Sequence, residues 1–111
     1  MVSNRALAEK LSRFNEILIQ STDKAINELV SPNVRRVLYK LLNDHYGIIP
    51  DEIPYRLETI STALDELFGI RVASAIERLI AKHLCEELSI PFLNTPECTL
   101  QMYIEKAKQL N

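Results

Sequence analysis

Glycine and cysteine are scarce in this chain, at two each, and each scarcity closes off a class of function. With only Gly47 and Gly69, the chain can write neither a GxxxxGK[ST] phosphate loop nor a GxGxxG dinucleotide turn, since both need closely spaced glycines. Cys85 and Cys98 form no CxxC pair, and HExxH and GxSxG are absent, so neither zinc chemistry nor an activated serine has a sequence signature. No cofactor is therefore expected. Two cysteines without a charged leader segment fit free, buried thiols in a reducing compartment, and a cytoplasmic location is the expectation. Long apolar runs are also missing: Ile17-Leu18-Ile19 is far short of the roughly 20 residues that cross a bilayer. Charge of one sign is not in excess, with 13 basic against 15 acidic residues and a net charge of -2, so no general field draws in nucleic acid or an anionic membrane.

What is present is a repeat. Residues 25–46 and 63–84 align without a gap at a constant offset of 38. Ala25/Ala63, Glu28/Glu66, Leu29/Leu67, Val34/Val72, Leu41/Leu79 and His45/His83 are identical, and Ile26/Leu64, Val30/Phe68, Leu38/Ile76, Lys40/Arg78 and Leu42/Ile80 keep their character. Internal repetition is an architectural statement. Two amphipathic hairpins cover each other's apolar faces best about an approximate two-fold axis. The predicted fold is all-α, with five to six helices, two tandem pseudo-symmetric αα-hairpins (25–46 and 63–84) and flanking N- and C-terminal helices.

The chain reads as one domain over 1–111, with an N-terminal amphipathic helix 3–20, a duplicated hairpin core 21–90 and a C-terminal helix 95–110. Ser3 is placed to cap the first helix, whose seam is Leu7, Leu11, Phe14 and Leu18. The segment reads as one long helix running through Ala25 or as two nearly collinear ones, since Ser21-Thr22-Asp23 can cap a new helix and allow a break near 20–22. Ser31-Pro32 marks a stop and restart, and the helix over 32–46 has the stripe Val34, Val37, Leu38, Leu41 and Leu42 with Gly47 past its end. Residues 47–54 carry two prolines and read as a loop, in which Asp51 and Glu52 suit a capping role. A helix over 55–68 ends at Gly69, and the strongest one, 71–88, turns Val72, Ala75, Ile76, Leu79, Ile80 and Leu84 inward. Thr95-Pro96-Glu97 is a further helix start.

Three groups of side chains are candidates for function. Leu7, Leu11, Phe14 and Leu18 form a seam beyond what a small hairpin core has to cover, which points to a homodimer or a protein partner; deletion of residues 1–20 should then leave a folded monomer. His45 and His83 fall on the apolar stripes near helix ends, where the negative end of the dipole favours them. They read as structural, or in the sharper alternative as the wall of a small-ligand pocket between the hairpins. Arg71, Arg78 and Lys82 form a stripe that could meet a polyanion, although nucleic acid is not the expected partner of a net-acidic chain without interleaved aromatic residues.

The run His45-Tyr46-Gly47-Ile48-Ile49-Pro50-Asp51-Glu52-Ile53-Pro54, with Leu64-Asp65-Glu66-Leu67-Phe68-Gly69 and Ile76-Glu77-Arg78-Leu79-Ile80, resembles the small all-helical archaeal signalling output domains over residues 25–90. Those families have no established biochemical activity and no catalytic signature to transfer. The resemblance implies a helical fold and a role in protein interaction within signalling or regulation. The expected function is thus a non-enzymatic regulatory or interaction module, with a small-ligand sensor and a weak nucleic-acid binder as the alternatives, and no membrane partner.

Overall fold

The computed structural model describes residues 4–93 and 98–111, which form α1 (Asn4–Leu29), α2 (Pro32–Tyr46), α3 (Leu57–Phe68), α4 (Ile70–Leu88) and α5 (Leu100–Leu110), with a 3-10 turn at Pro50–Tyr55. The all-α class and the helix count agree with the sequence expectation, and among the described residues there is no strand. The expected cap Ser3 and the expected helix start at Thr95-Pro96-Glu97 lie outside the described residues. Within them the last helix begins at Leu100, where the Thr99 hydroxyl accepts from the Met102 backbone N–H at 3.2 Å.

Of the two forms the sequence leaves open, the chain takes the single helix, with no break at 20–22, and the helix boundary at 20 is corrected to Leu29. The cap-forming side chains are used otherwise. Thr22 Oγ1 donates to the Leu18 carbonyl at 2.8 Å, one turn back within the same helix, and both Ser21 and Thr22 are buried. Asp23 turns away to hold α2: its Oδ1 accepts from Arg35 Nε at 2.9 Å, from Arg35 Nη2 at 2.6 Å and from the Tyr39 hydroxyl at 2.9 Å. A continuous helix of 26 residues is about 39 Å long, which accounts for a molecule measuring 46 × 29 × 21 Å.

The turns follow local chemistry closely. Ser31 Oγ accepts from the Val34 N–H at 3.3 Å and Pro32 opens α2, as its spacing predicts. Gly47 ends α2 with φ +63°, the left-handed conformation that favours glycine. The prolines that suggested a loop instead make a 3-10 turn, in which Glu52 Oε1 accepts from the Ile49 N–H at 3.2 Å and Ile53 is buried in the core. Gly69 alone joins α3 to α4, at φ +82° and ψ 160°, a region open essentially to glycine only.

The duplicated hairpins share their register, although α1 and α2 touch far less than α3 and α4 do. The second helix of each copy starts at the same register, Pro32 and Ile70, and the pairs Ala25/Ala63, Ile26/Leu64, Leu38/Ile76 and Leu42/Ile80 are all buried. Each hairpin is tied by a polar bond at equivalent positions: the Tyr39 hydroxyl donates to Asp23 in the first, and the Ser61 hydroxyl donates to Glu77 in the second. The equivalent acids Glu28 and Glu66 then reach across to the far end of the other copy's second helix. Glu28 lies 3.1 Å from His83 on α4, and Glu66 accepts from the Tyr46 hydroxyl on α2.

The copies differ in what surrounds them. α4 runs on to Leu88, with Ser89 in the left-handed conformation as its cap, while α2 stops at Tyr46. α1 packs along α4 more extensively than any other pair of helices, and α5 adds a second layer on α4. Consequently α4 buries eight residues and α2 only two, and the expected inner stripe loses Val34, Val37 and Val72, which are exposed. Leu41 and Leu79 are half-buried in both copies.

The seam of α1 divides as well. Leu18 is fully enclosed and Phe14 is 3% exposed, so both belong to the core of this chain. Leu18→Ala should cost about 2–5 kcal/mol in urea unfolding. Removal of residues 1–20 should abolish the cooperative transition rather than leave a folded monomer, because it takes both side chains out of the core; a truncated chain with native circular dichroism and a sharp midpoint would contradict this. At Gly69 no neighbour lies within 4 Å of the point where a methyl group would project, so backbone conformation alone sets the cost of a side chain there. Gly69→Ala should lower stability by about 1–3 kcal/mol, read as a shift of the urea midpoint at unchanged slope.

Candidate interaction surface

Residues 5–13, the first part of α1, are exposed throughout. Amphipathic spacing places Leu7 and Leu11 one turn apart on the seam that continues inward through Phe14 and Leu18. The chain covers the inner half of that seam and leaves the outer half open: Leu7 is 61% exposed and Leu11 46%. These two leucines and Phe14 line a shallow apolar groove of about 300 Å³, bounded by Lys10 of α1 and by Lys108 and Asn111 at the end of α5. Lys10 Nζ donates to the Asn111 backbone oxygen at 3.0 Å, and Lys108 Nζ sits 5.7 Å from the centre of the Phe14 ring. Arg5 and Glu9 pair at 3.3 Å on the solvent side, where both are highly exposed and the pair adds little stability. Of the predicted seam, Leu7 and Leu11 are therefore available for contact, and Phe14 and Leu18 are not.

The matched histidines do not share an environment. His45 is exposed, which corrects the expectation that it packs on an inner stripe; it is the penultimate residue of α2, and the half-buried position in that last turn goes to Tyr46. His83 is 6% exposed, on the helix that packs along α1. Its Nε2 lies 3.1 Å from Glu28 and its Nδ1 3.7 Å from Glu86, yet neither ring nitrogen makes an aligned hydrogen bond. The two imidazoles therefore do not make a matched pair of pocket walls. Among the described residues no group of three His, Cys, Asp or Glu side chains is arranged to hold a metal ion.

Arg71, Arg78 and Lys82 are all exposed on α4. Cys85 is buried and Cys98 half-buried. Burial pushes the Cys85 thiol up from its ordinary range, which leaves it less thiolate and a poorer nucleophile.

A cleft that sequence reasoning missed lies between α3, α4 and the start of α5. It measures about 450 Å³, and its lining includes Glu58, Ser61, Asp65, Ser74 and Glu77. Glu77 is 9% exposed; desolvation, with a smaller contribution from the Asp65 charge, raises its carboxyl above the usual range, while the hydrogen bond from Ser61 works in the opposite direction. A buried carboxylate in a cleft has the look of an acid catalyst. Its counterpart in the first hairpin is Tyr39, which makes the equivalent bond to Asp23, and the shared position marks each bond as a strut between helices. The signal available in the sequence was the offset of 38 applied to the polar positions 23/61 and 39/77 as well as to the apolar ones.

The chain matches no protein-family model, no curated protein and no solved structure.

The raised carboxyl of Glu77 has a definite pH signature. Its folded-state pKa exceeds the unfolded value of 4.5, so the folded state holds its proton longer, and the contribution of this group to stability falls as pH rises from 4.5 through the raised value. Glu77→Gln keeps an acceptor for Ser61 and removes the titration. The stability of the variant relative to the parent should therefore increase with pH over that window, as measured by urea midpoints from acid to neutral pH, whereas a pH-independent difference would show that Glu77 ionises normally in the fold.

Proposed function

We propose that the chain is a non-enzymatic protein-interaction module of the regulatory or output kind, and that the exposed first part of α1 is its contact element. The observation that carries this reading is the division of one helical seam into a buried half, Phe14 and Leu18, and an open half, Leu7 and Leu11. A short helical segment draws most of its stability from an apolar face packed against something, and here the face continues beyond the chain's own core. The resemblance of residues 25–90 to archaeal output domains supports the same reading. So does the part played by the polar groups: Glu77, His83 and Asp23 each engage neighbouring helices.

A photo-crosslinking amino acid in place of Leu7, in cells producing the protein, should give discrete protein adducts that disappear on Leu11→Ser. The same probe in place of Lys82 should give none. The double variant Leu7→Ser/Leu11→Ser should keep its helical circular dichroism and lose no more than about 0.5 kcal/mol per site, the usual range for surface positions. Adducts from position 82 with none from position 7 would move the contact surface to α4 and refute the proposal.

A further inference from the structure

We infer that the groove between the start of α1 and the end of α5 receives an acidic amphipathic helix from a partner protein, an inference that rests on the α1 arm being the contact element. The groove has the form of a helix-binding site: its apolar floor is Leu7, Leu11 and Phe14, at positions that share one face of α1, and its walls come from two different helices. Its volume of about 300 Å³ suits one or two apolar anchor side chains. The two titratable side chains in its lining, Lys10 and Lys108, are both cationic, and they stand on opposite walls. Lys108 holds its ammonium over the Phe14 ring, and Lys10 holds its own on the Asn111 backbone oxygen. Beyond them Arg13 is exposed on α1, while Glu9 is already paired with Arg5. A ligand seated here therefore meets leucine and phenylalanine at the centre and positive charge on both flanks.

Charge decides among the occupants. A second copy presenting the same arm would add its own Lys10, Arg13 and Lys108 to the cations already around the groove, and an excess of like charge across an interface opposes association. A lipid surface matches the charge but not the shape. An interfacial helix needs a broad, protruding apolar face, whereas Phe14 lies at the bottom of the groove, 3% exposed, and only Leu7 and Leu11 stand clear. An acidic helix with leucine-type anchors one turn apart satisfies both the concave floor and the cationic rims.

The test uses the full chain and three probes: a short helical peptide with two leucines one turn apart flanked by glutamates, the same peptide with lysines for the glutamates, and phosphatidylserine-containing vesicles. Fluorescence anisotropy should show binding of the acidic peptide that weakens with added salt. Lys10→Glu/Lys108→Glu should weaken it about tenfold or more, as expected for reversing two rim charges, and Leu11→Ser should abolish it with circular dichroism unchanged. Equal or tighter binding of the basic peptide, or binding to vesicles that is lost in the lysine variant while the acidic peptide fails, overturns the acidic-helix inference and leaves the arm as contact element intact. Concentration-dependent dimerisation in sedimentation that is lost on Leu7→Ser/Leu11→Ser does the same and assigns the groove to a second copy. Absence of binding to all three probes together with a monomer at all concentrations overturns both the inference and the reading on which it rests.

Discussion

The packing of α1 along α4 carries the fold, because it joins the first helix of one hairpin to the second helix of the other and so leaves neither hairpin complete by itself. α1 contributes Phe14, Leu18, Ala25 and Ile26 to the shared core, and α4 contributes Ala73, Ile76, Ile80 and Leu84. Burying the larger of these side chains is worth roughly 1.5–3 kcal/mol each, far more than any exposed ion pair in the molecule could supply. The rest is arranged around that contact: α5 covers the flank of α4 at Ala81 and Cys85, the 3-10 turn seals against α1 through Ile53, and α2 is left at the periphery. The division of the α1 seam follows from α5, whose Lys108 reaches Phe14 while Leu11 stays open.

Polar groups in this molecule serve mainly as registers. Asp23 with Tyr39 and Ser61 with Glu77 occupy equivalent positions with donor and acceptor interchanged, so the geometry is kept although the chemistry of each partner is not. The first pair gains a cation stacked on its ring, with the Arg35 guanidinium 5.0 Å from the centre of Tyr39. Burial together with the Asp23 acceptor raises the Tyr39 phenol and holds it protonated. In the second pair the burdened group is the carboxylate, and burial raises it too. The same position is thus desolvated in both copies, and the side chain found there sets what that burial does to its proton.

Much of the fold was legible because it is written in residues whose chemistry is local. Ser31-Pro32, Gly47 and Gly69 each act on one or two backbone groups, and the turns they mark lie where the sequence places them. The repeat was legible because four buried pairs keep both size and register. What escaped depends on the partners of a side chain. Ser21, Thr22 and Asp23 form a capping sequence, and nothing in it reveals that Thr22 bonds backward to Leu18 or that Asp23 is claimed by Arg35, twelve residues on. His45 and His83 are the same residue at the same repeat position, yet α4 is packed against α1 and α5 while α2 lies at the periphery, so only His83 is buried. The open part of the α1 seam was half visible: periodicity identifies Leu7, Leu11, Phe14 and Leu18 as one stripe, but only the placement of α5 shows where along it the chain's own core ends.

The reciprocal reach of Glu28 and Glu66 carries a historical and a mechanical consequence. A lone hairpin with the pattern of residues 25–46 would hold a carboxylate near the end of its first helix and a partner for that carboxylate at the end of its second, too far along the chain to satisfy each other within one hairpin yet placed to do so between two. Such a unit is complementary to itself, and a symmetric pair of separate hairpins is the assembly that this single chain reproduces with its halves covalently joined. The halves are not identical: α4 runs on to Leu88 and carries α5 on its flank, while α2 stops at Tyr46. The link through Gly47 and the 3-10 turn both tethers the two pieces at high effective concentration and supplies Ile48 and Ile53 to the core they share.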